Sequence, residues 1–520
     1  MRPKRKCFVI FPLERRNAEC YTEFTYDEKG SIVMNENGNR KKQPPRRKTF
    51  LETFFGDGTT VAVLAKRYGV PVLLAVYALI AVFAMPRCTL LKDAPSEDAS
   101  FKMPSVTKEA PKAAATPSPT PTPEPKEPTF TNATLAYAGD LVVHMGINEE
   151  ASTGDGYDYL PVMEGVIPYV QDADYAFCCF ETTFPIEGDV SGYPTFHSPV
   201  TLATDLKAAG FDLVETANNH CMDARKEGLD NTLDVLDAAG LDHVGTYRTQ
   251  EERNENHGIV VKDLNGIRIA FLSYTYGTNC FPVTDFPYAA NIFFSDYLEP
   301  YADDIDELDL SGLDADIAAA KDLNVDMIAV FMHWGLEYHT EPVDYQREVA
   351  DHLFAQGVDL VLGGHPHVPE PMETRTVTDA DGNERTGYLC YCMGNFLSCM
   401  NDRYTNLTGV TTLELEKNVD TGETYLKNVS YAPLIMVDTA DHGVMSTWRY
   451  KLVDLHKSID SYAAGDSLGF INDTLYNDMI TALNDIHSIW GANFDRFDPS
   501  YTANTEGEMP AKAPMTAPAE

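Results

Sequence analysis

Short apolar runs alternate with segments of helical periodicity between residues 130 and 497. Two stretches, residues 202–209 and 227–239, repeat apolar side chains at helical spacing, and each ends at a glycine. Strands that alternate with helices predict an α/β domain. The runs typical of buried strands are residues 134–138, 175–180, 211–216, 326–331 and 358–362.

More β structure is predicted around this pattern. Asn265-Gly266 lies between two apolar runs and predicts a tight hairpin turn. We place the α/β domain at residues 132–435, followed by a helical extension at residues 436–500. The later runs that predict additional antiparallel strands are residues 389–397, 410–415 and 425–431.

An apolar run without charged residues extends from Tyr68 to Pro86. We predict a transmembrane helix at residues 68–88, because about twenty helical residues cross a bilayer core. Residues 1–67 carry 15 Lys or Arg and 8 Asp or Glu, and a basic flank stays on the cytoplasmic side. We therefore expect a basic cytoplasmic segment at residues 1–67 and a single-pass protein of the cell membrane with an extracellular C-terminal domain.

Two other interpretations of this run are disfavoured. A buried core helix would need a folded domain around it, and a proline-rich stretch follows instead. A cleavable signal peptide has a basic start far shorter than the region before Tyr68.

Two segments are too poor in apolar residues to fold. Residues 89–131 are dense in Pro, Thr, Ala and Glu, which predicts an extended, disordered stalk. Residues 501–520 predict a disordered tail. The stalk would hold the folded domain away from the membrane.

Charge and cysteine content exclude several classes of protein. The chain has 40 Lys or Arg against 79 Asp or Glu, a net charge of −39, so nucleic acid is not an expected partner. The ten cysteines show no repeated spacing and no paired C-x-x-C arrangement. Neither a disulfide framework nor a zinc ribbon is therefore predicted.

Polar side chains follow the predicted strands at the points where the strands end. The carboxyl ends of strands in an α/β sheet meet at one crevice, where ligands bind. Carboxylate, amide and imidazole groups together suit one or two divalent ions of the Mn, Fe or Zn type, and this set can supply the ligands and the bridging acid of a two-metal centre. The residues concerned are Asp140, Glu181, Asn219, His220, His333, His365 and His367.

The histidines of this set favour a metal centre over a structural role. His365 and His367 lie two positions apart, so an extended segment projects both to the same side. They and His333 follow buried strands beside glycines that leave room for a ligand. Hydrogen-bonded core histidines are the alternative, and this placement disfavours it.

Several blocks of the sequence resemble the CapA family of capsule synthesis (poly-gamma-glutamate synthesis) proteins, which belongs to the calcineurin-like metallophosphatase superfamily. The resemblance extends over about residues 135–397, in the order of the family, and a match of several blocks is far more specific than any one of them. The blocks are AGD at 138–140, ANNHCMD at 217–223, HWGLEY at 333–338, GVDLVLGGHPHV at 357–368 and MGNF at 393–396.

The resemblance implies a β-sandwich flanked by helices and a role for each candidate residue. Asp140 and His367 would ligate a first metal ion, and Glu181 would take the place of the bridging acid. Asn219, His333 and His365 would ligate the second ion. His220 would be the catalytic histidine that binds the transferred phosphate and protonates a leaving group.

The sequence also departs from the superfamily pattern. The usual Asp-x-His is absent after Asp140; either His144 replaces that histidine as a ligand, or the first metal is bound weakly and His144 is a surface residue. Glu181 stands in place of an aspartate, and Cys179 in place of an asparagine. His197 stands where an arginine is common, which makes it a possible substrate ligand.

Three functions remain open on the sequence alone. The leading hypothesis is a membrane-anchored protein for synthesis, export or anchoring of an anionic polymer such as poly-gamma-glutamate, with a metal-dependent phosphoesterase centre. The second is a phosphoesterase of cell-envelope substrates unrelated to capsule, and the third is a metal-stabilised head that binds polymer without catalysis. The resemblance further implies capsule-synthesis membrane subunits as partners.

Overall fold

The computed structural model describes residues 128–299, 305–378, 384–444 and 446–501, together with three short strands near the N-terminus. These strands, β1 (Cys7–Phe11), β2 (Cys20–Tyr26) and β3 (Ile32–Met34), form an antiparallel sheet. The predicted membrane span, nearly all of the stalk and the tail after residue 501 lie outside the described residues. Within the described part of the chain, no helix is both long and apolar enough to cross a membrane.

The remaining strands form two sheets. The first has the order β17-β16-β15-β4-β5-β6-β7, with β14 paired to β4, and the second has the order β12-β13-β11-β10-β9-β8. The strands are β4 (Phe130–Leu141), β5 (Tyr175–Phe180), β6 (Leu213–Glu215), β7 (Asp242–Val244), β8 (Val260–Leu264), β9 (Ile267–Thr275), β10 (Met327–His333), β11 (Leu360–Gly364), β12 (Pro369–Thr378), β13 (Glu384–Met393), β14 (Asn395–Leu397), β15 (Leu407–Asn418), β16 (Thr424–Asp438) and β17 (Tyr450–Asp454).

Nine α-helices connect or cover these strands in the described residues. Two short 3-10 helices, Glu255–Gly258 and Ala492–Phe494, complete the elements. The helices are α1 (Met145–Ala151), α2 (Ile167–Gln171), α3 (Thr201–Ala209), α4 (Arg225–Ala239), α5 (Gln250–Asn254), α6 (Ser311–Asp322), α7 (Asp344–Ala355), α8 (Leu455–Ala463) and α9 (Asp473–Trp490).

The two sheets pack face to face around an aromatic interior. Tyr137 and Phe177 of the first sheet meet Phe331 of the second, with ring centroids 6.0 and 5.1 Å apart. The outer face of the first sheet packs against α1 to α4, and that of the second against α6 and α7. The result is a β-sandwich flanked by helices, because each sheet buries one face against the other sheet and one against helices.

Parallel strands form the centre of each sheet, and this arrangement places all their carboxyl ends on one side. Strands β4 to β7 run parallel in the first sheet, and β9, β10, β11 and β13 in the second. Such pairs need crossover connections, which the helices between the strands provide. The α/β pattern predicted from the sequence is therefore confirmed.

Local signals in the sequence also match the structure. The helices expected at residues 202–209 and 227–239 are α3 and α4, each ending at a glycine of positive φ. Asn265 and Gly266, with φ of 57° and 90°, form the turn between antiparallel β8 and β9. Positive φ at both turn residues matches the twist of a hairpin.

Some later strands differ from the expectation of antiparallel pairing. Strand β13 lies antiparallel to β12 as expected but parallel to β11, and β14 lies parallel to β4; β15 and β16 pair antiparallel as expected. Strand β12 has no counterpart among the predicted elements. The segment expected to be a helical extension contains α8 and α9 but also β17, which pairs with β16 at the edge of the first sheet. Pairing direction depends on chain reversals between strands, which apolar runs do not encode.

Candidate metal centre

The candidate ligands meet at the carboxyl ends of the central strands of both sheets. Asp140 is the penultimate residue of β4, Glu181 follows β5 directly, and His333 ends β10. His365 and His367 lie in the loop after β11, whose Gly364 is in register with His333. The expectation that these side chains converge is confirmed by their contacts.

Glu181 is the centre of this arrangement. Its side chain is fully buried, and neither carboxylate oxygen accepts a hydrogen bond. The Nε2 atoms of His220, His333 and His367 lie 3.9, 3.7 and 3.9 Å from its Oε1. These separations are too long for hydrogen bonds and leave room beside Glu181 for a cation, whose ligands lie at about 2.0–2.2 Å from it.

Asp140 and His367 lie next to each other beside Glu181. Asp140 Oδ2 accepts a hydrogen bond of 2.9 Å from the backbone N–H of His365 and lies 3.6 Å from His367 Nδ1. Asn395 directs its Nδ2 to a backbone carbonyl, so its Oδ1 accepts from His367 Nδ1 at 3.0 Å. The hydrogen on Nδ1 leaves the lone pair of His367 Nε2 directed at Glu181.

Asn219 and His333 form a second close pair. Asn219 Oδ1 lies 2.9 Å from His333 Nε2, while its Nδ2 donates to Asn279 Oδ1. The second ring nitrogen of His333 lies 3.7 Å from Cys179 Sγ. An amide oxygen and an imidazole nitrogen therefore point at the same place beside Glu181, as two ligands of one ion would.

His365 completes the set. Both of its ring nitrogens are buried without a hydrogen-bond partner, and its ring lies 5.0 Å from that of His333 and 4.6 Å from that of Tyr276. Its φ of 98° is a strained value for a residue with a side chain. Unsatisfied buried polar atoms and backbone strain cluster at functional sites, and a bound cation would satisfy these nitrogens.

Small residues make the close approach of these groups possible. A Cβ atom on Gly364 would lie 2.3 Å from Asp140 Oδ1, and one on Gly139 would lie 1.9 Å from the backbone oxygen of Gly394. Glycine is therefore required at both positions, because a side chain would collide with Asp140 in one case and with the backbone of Gly394 in the other.

His220 is held differently from the other imidazoles. Its Nδ1 donates a hydrogen bond of 2.8 Å to Asp223 Oδ2, which also accepts from the backbone N–H of Phe196. The Phe196 ring packs edge-on against the imidazole, with centroids 4.7 Å apart. This fixes the ring, and its Nε2 faces the cleft beside Glu181 and Asn279.

The pKa values of the site residues are shifted because carboxyl groups and imidazoles are buried together. Burial without hydrogen bonds raises the pKa of Glu181. Burial lowers the pKa values of His333 and His365 far below the usual range, and the other imidazoles lower them further. Burial opposes the charge of His367 as well, but Glu181 and Asp140 outweigh it and raise the pKa of His367. The lowered pKa values keep the imidazoles of His333 and His365 neutral, which is the state that binds a cation.

Burial likewise disfavours the imidazolium of His220, but the adjacent carboxylate of Asp223, helped by Glu181, raises the pKa of His220. This histidine can therefore hold a proton at neutral pH while it faces the same cleft. A divalent cation nearby would oppose that charge.

The donor set fits divalent transition ions. The described residues contain two groups of potential ligands here, and within each group the ligand atoms lie within 4.8 Å of one another. Glu181 belongs to both groups. One group contains Asp140, Cys179, Glu181 and His333, and the other contains Glu181, His365 and His367. Imidazole, carboxylate and amide oxygen are the ligands of Mn, Fe and Zn, so the buried atoms without partners have the chemistry that such ions need.

The two remaining candidates from the sequence are placed outside this set. His144 directs Nδ1 at the backbone oxygen of Val142, and burial lowers the pKa of its imidazole to about 4. His197 pairs through its backbone with Thr183 and Ser191, and its Nε2 is buried without a partner. Neither belongs to the groups whose ligand atoms converge.

Four residues at the site were not among the candidates. Asp223 orients the imidazole of His220, and Asn395 orients that of His367. Both lie inside the sequence blocks that resemble the CapA family. Cys179 approaches His333 because the backbone of β5 turns it toward the cleft. Asn279, which contacts both Asn219 and His220, lies in a loop with no distinguishing signal.

Solved structures with a similar fold include two phosphatases. A phosphatase from Mycoplasma pneumoniae matches 59% of this chain and 95% of its own, with a TM-score of 0.34 and 14% identity. The purple acid phosphatase PPD1 of yellow lupin matches 62% of this chain and 54% of its own, with a TM-score of 0.29 and 10% identity. At such low scores, the metal-centre interpretation rests on the side chains described above.

Sequence comparison is more specific. The capsule biosynthesis protein CapA of Bacillus anthracis is 28% identical over 275 residues, which is 51% of this chain and 59% of that protein. The PGA biosynthesis protein CapA of Bacillus subtilis is 26% identical over 301 residues, 56% of this chain and 71% of that protein. The chain therefore spans only about 59% of the length of the first of these relatives.

A family model described as bacterial capsule synthesis protein PGA_cap matches residues 134–400. The match includes every candidate ligand and the supporting Asn395. Residues 134–400 make up just over half of the 520-residue chain. The chain therefore belongs to the bacterial capsule synthesis protein PGA_cap family.

Proposed function

We propose that this protein acts in the synthesis, export or anchoring of an anionic capsule polymer such as poly-gamma-glutamate, and that its head carries a divalent-metal phosphoesterase centre. Family membership supports the capsule role, as do two relatives described as capsule or PGA biosynthesis proteins. The predicted span at residues 68–88 would anchor the head to the cell membrane, and capsule-synthesis membrane subunits are the partners that we propose.

One observation carries the proposal of a metal centre. Glu181 is buried without hydrogen bonds among three imidazoles whose Nε2 atoms lie 3.7–3.9 Å from its Oε1. A buried carboxylate without a partner costs several kcal/mol, and a cation between the groups removes that cost. We assign Glu181 as the ligand shared by two ions.

We propose that the remaining ligands divide between two ions as the family resemblance implies. Asp140 and His367 would hold the first ion, and Asn219, His333 and His365 the second. When bound, such ions supply Lewis-acid activation of a water molecule and of a phosphoryl group. Asn395 keeps the hydrogen of His367 on Nδ1, so the other nitrogen stays available as a ligand.

His220 would act on the substrate rather than on an ion. Asp223 holds the Nδ1 hydrogen and orients the ring, so a proton on Nε2 faces the cleft. A proton at this atom can bind a phosphoryl oxygen and pass to a leaving group. Phe196 covers the ring and limits access of water to it.

A head that binds polymer without catalysis is the second candidate. It is favoured by the small ligand set beside Asp140, because His144 is not among the converging ligands. A first ion held by few ligands would bind weakly. Hydrolysis at a two-metal centre needs both ions, because together they stabilise the attacking oxygen and the leaving oxygen. Hydrolysis of cell-envelope phosphoesters unrelated to capsule is a third function that the same centre could perform.

The test combines metal content, turnover and polymer production. We would purify the full-length chain, load it with Mn²⁺, and follow hydrolysis of a generic phosphodiester by the wild type and by His220→Ala. We expect equal metal content and at least about a hundredfold loss of turnover in the variant, the contribution typical of a general acid. In the source cells, His365→Ala should reduce surface anionic polymer.

The possible outcomes separate the candidates. Metal binding without turnover, together with polymer production that depends on His365, would support the binding head. Turnover together with unchanged polymer in His365→Ala cells would support an envelope phosphoesterase. Wild-type turnover in His220→Ala would remove its role as the acid, and absence of bound metal would refute the centre itself.

A further inference from the structure

A second group of side chains of the kinds that ligate metal ions lies where α8 and α9 meet the segment that follows them. His456 is in the first turn of α8, His487 is in the last turn of α9, and Asp495 follows the 3-10 helix Ala492–Phe494. None of the three contributes to the candidate metal centre described above. Their ligand atoms lie within 4.8 Å of one another.

The two imidazoles converge on one carboxylate oxygen. His456 Nε2 lies 2.7 Å and His487 Nε2 lies 2.8 Å from Asp495 Oδ2. The Asp495 side chain is fully buried, and the imidazoles are 20% and 17% exposed. Ligands of one zinc ion are separated by roughly 3–3.5 Å, given metal–ligand distances of about 2.0–2.2 Å, so small rotations would open room for an ion.

The carboxylate is rigidly positioned. Asp495 Oδ1 accepts a hydrogen bond of 2.9 Å from the backbone N–H of Phe497, and the backbone of Asp495 pairs with Tyr431 of β16. The next residue extends this pairing, since the Arg496 N–H donates to the backbone oxygen of Tyr431. The carboxylate is therefore fixed, while the two partly exposed imidazoles that hydrogen-bond to it can be reached from solvent by an ion and a further ligand or water.

The charges around the group favour a cation. Asp454 and Asp460 act electrostatically on His456, and Asp498 interacts with His487. The side chain of Arg496, which follows Asp495, is directed at the hydroxyls of Thr412 and Ser430 instead. Negative potential at partly exposed imidazoles raises the local concentration of divalent cations.

We propose that His456, His487 and Asp495 form a separate binding site for a zinc-type transition ion, which joins α8, α9 and the C-terminal segment. The two imidazoles and one carboxylate are a ligand set typical of zinc, with a fourth position left to water. Binding requires each ring to carry its hydrogen on Nδ1 in place of Nε2. An ion at this site would stabilise the folded head in proportion to its occupancy.

The test counts zinc in the full-length chain. We would strip the purified protein with a chelator, add Zn²⁺ as the probe, and measure zinc per chain and the unfolding temperature. His487→Gln and Asp495→Asn should each bind one zinc fewer than the wild type and lose part of the zinc-dependent rise in unfolding temperature. His487→Gln keeps a polar group beside Asp495, so it decides the question if Asp495→Asn does not fold.

His442→Gln is the matched control. His442 is also 17% exposed and lies 3.3 Å from Asp478, but it has no second imidazole or buried carboxylate. We expect its zinc content to equal that of the wild type. The proposal is overturned if both cluster variants keep the full zinc content and the full shift in unfolding temperature. If the candidate centre around Glu181 binds nothing, the wild type will still bind one zinc and the cluster variants none, which separates the two proposals.

Discussion

Replacing Glu370 by glutamine should change how the stability of the head depends on pH. Glu370, in β12, is fully buried; its Oε2 accepts a hydrogen bond of 2.9 Å from Gln346, and its Oε1 has no partner. Burial raises the pKa of this carboxyl group from 4.5 to about 8, against the opposing effects of Gln346 and Arg347. The folded protein therefore keeps a proton that the unfolded chain releases.

The sign and size of the effect follow from this difference. Between pH 4.5 and about 8 the folded state binds more protons than the unfolded state, so this group reduces the free energy of unfolding as pH rises. At about 1.4 kcal/mol per pH unit, the full loss is roughly 5 kcal/mol, and roughly 3 kcal/mol of it has occurred by about pH 7. Glutamine has the same shape and cannot ionise, so Glu370→Gln should remove this loss.

Urea denaturation followed by tryptophan fluorescence measures the change. All three tryptophans lie in the head, and the indole of Trp490 donates a hydrogen bond to the backbone oxygen of Glu370. We expect the free energy of unfolding of Glu370→Gln to exceed that of the wild type by an amount that grows as the pH rises. The exposed Glu187→Gln should follow the wild type at every pH. Parallel profiles for wild type and Glu370→Gln across this range would refute the reasoning.

Three further outcomes are expected. His333→Ala should remove the ion on the Asn219 side while the protein remains folded, and full metal content in the purified variant would contradict that assignment. Gly364→Ala should lower metal content without removing any ligand, because its Cβ would lie 2.3 Å from an Asp140 oxygen; Gly312→Ala, with 3.8 Å to the nearest atom, should match the wild type. Leu79→Arg, near the middle of the predicted membrane span, should weaken or stop spanning, and undiminished carbonate-resistant membrane association would count against the span.

The sequence by itself determined the features that depend on short stretches of chain. Apolar runs predicted the strands, and helical periodicity ending at a glycine predicted the helices. Both signals are local, since the burial of a strand and the end of a helix depend on a few neighbouring residues. The same local pattern identified Asp140, His333 and His365 as residues at strand ends. The resemblance of several blocks then indicated the family and the kinds of ligand.

The tertiary structure decided which atoms meet. Glu181, which follows β5 of the first sheet, meets the imidazoles that follow β10 and β11 of the second, because the sandwich brings the carboxyl ends of these strands together. The ring hydrogen of His367 is fixed by Asn395, whose position depends on the pairing of β14 with β4. Parallel pairing of that kind is set by contacts far apart in the chain, which local patterns do not encode.

The group of side chains at the C-terminal helices likewise could not be predicted from local patterns. His456, His487 and Asp495 have no motif spacing, so no sequence pattern groups them. They meet because α8 and α9 pack together and the segment after α9 pairs with β16. Sequence specifies residue type and local conformation, whereas a binding site requires distances of a few ångströms between side chains that only the packed fold can bring together.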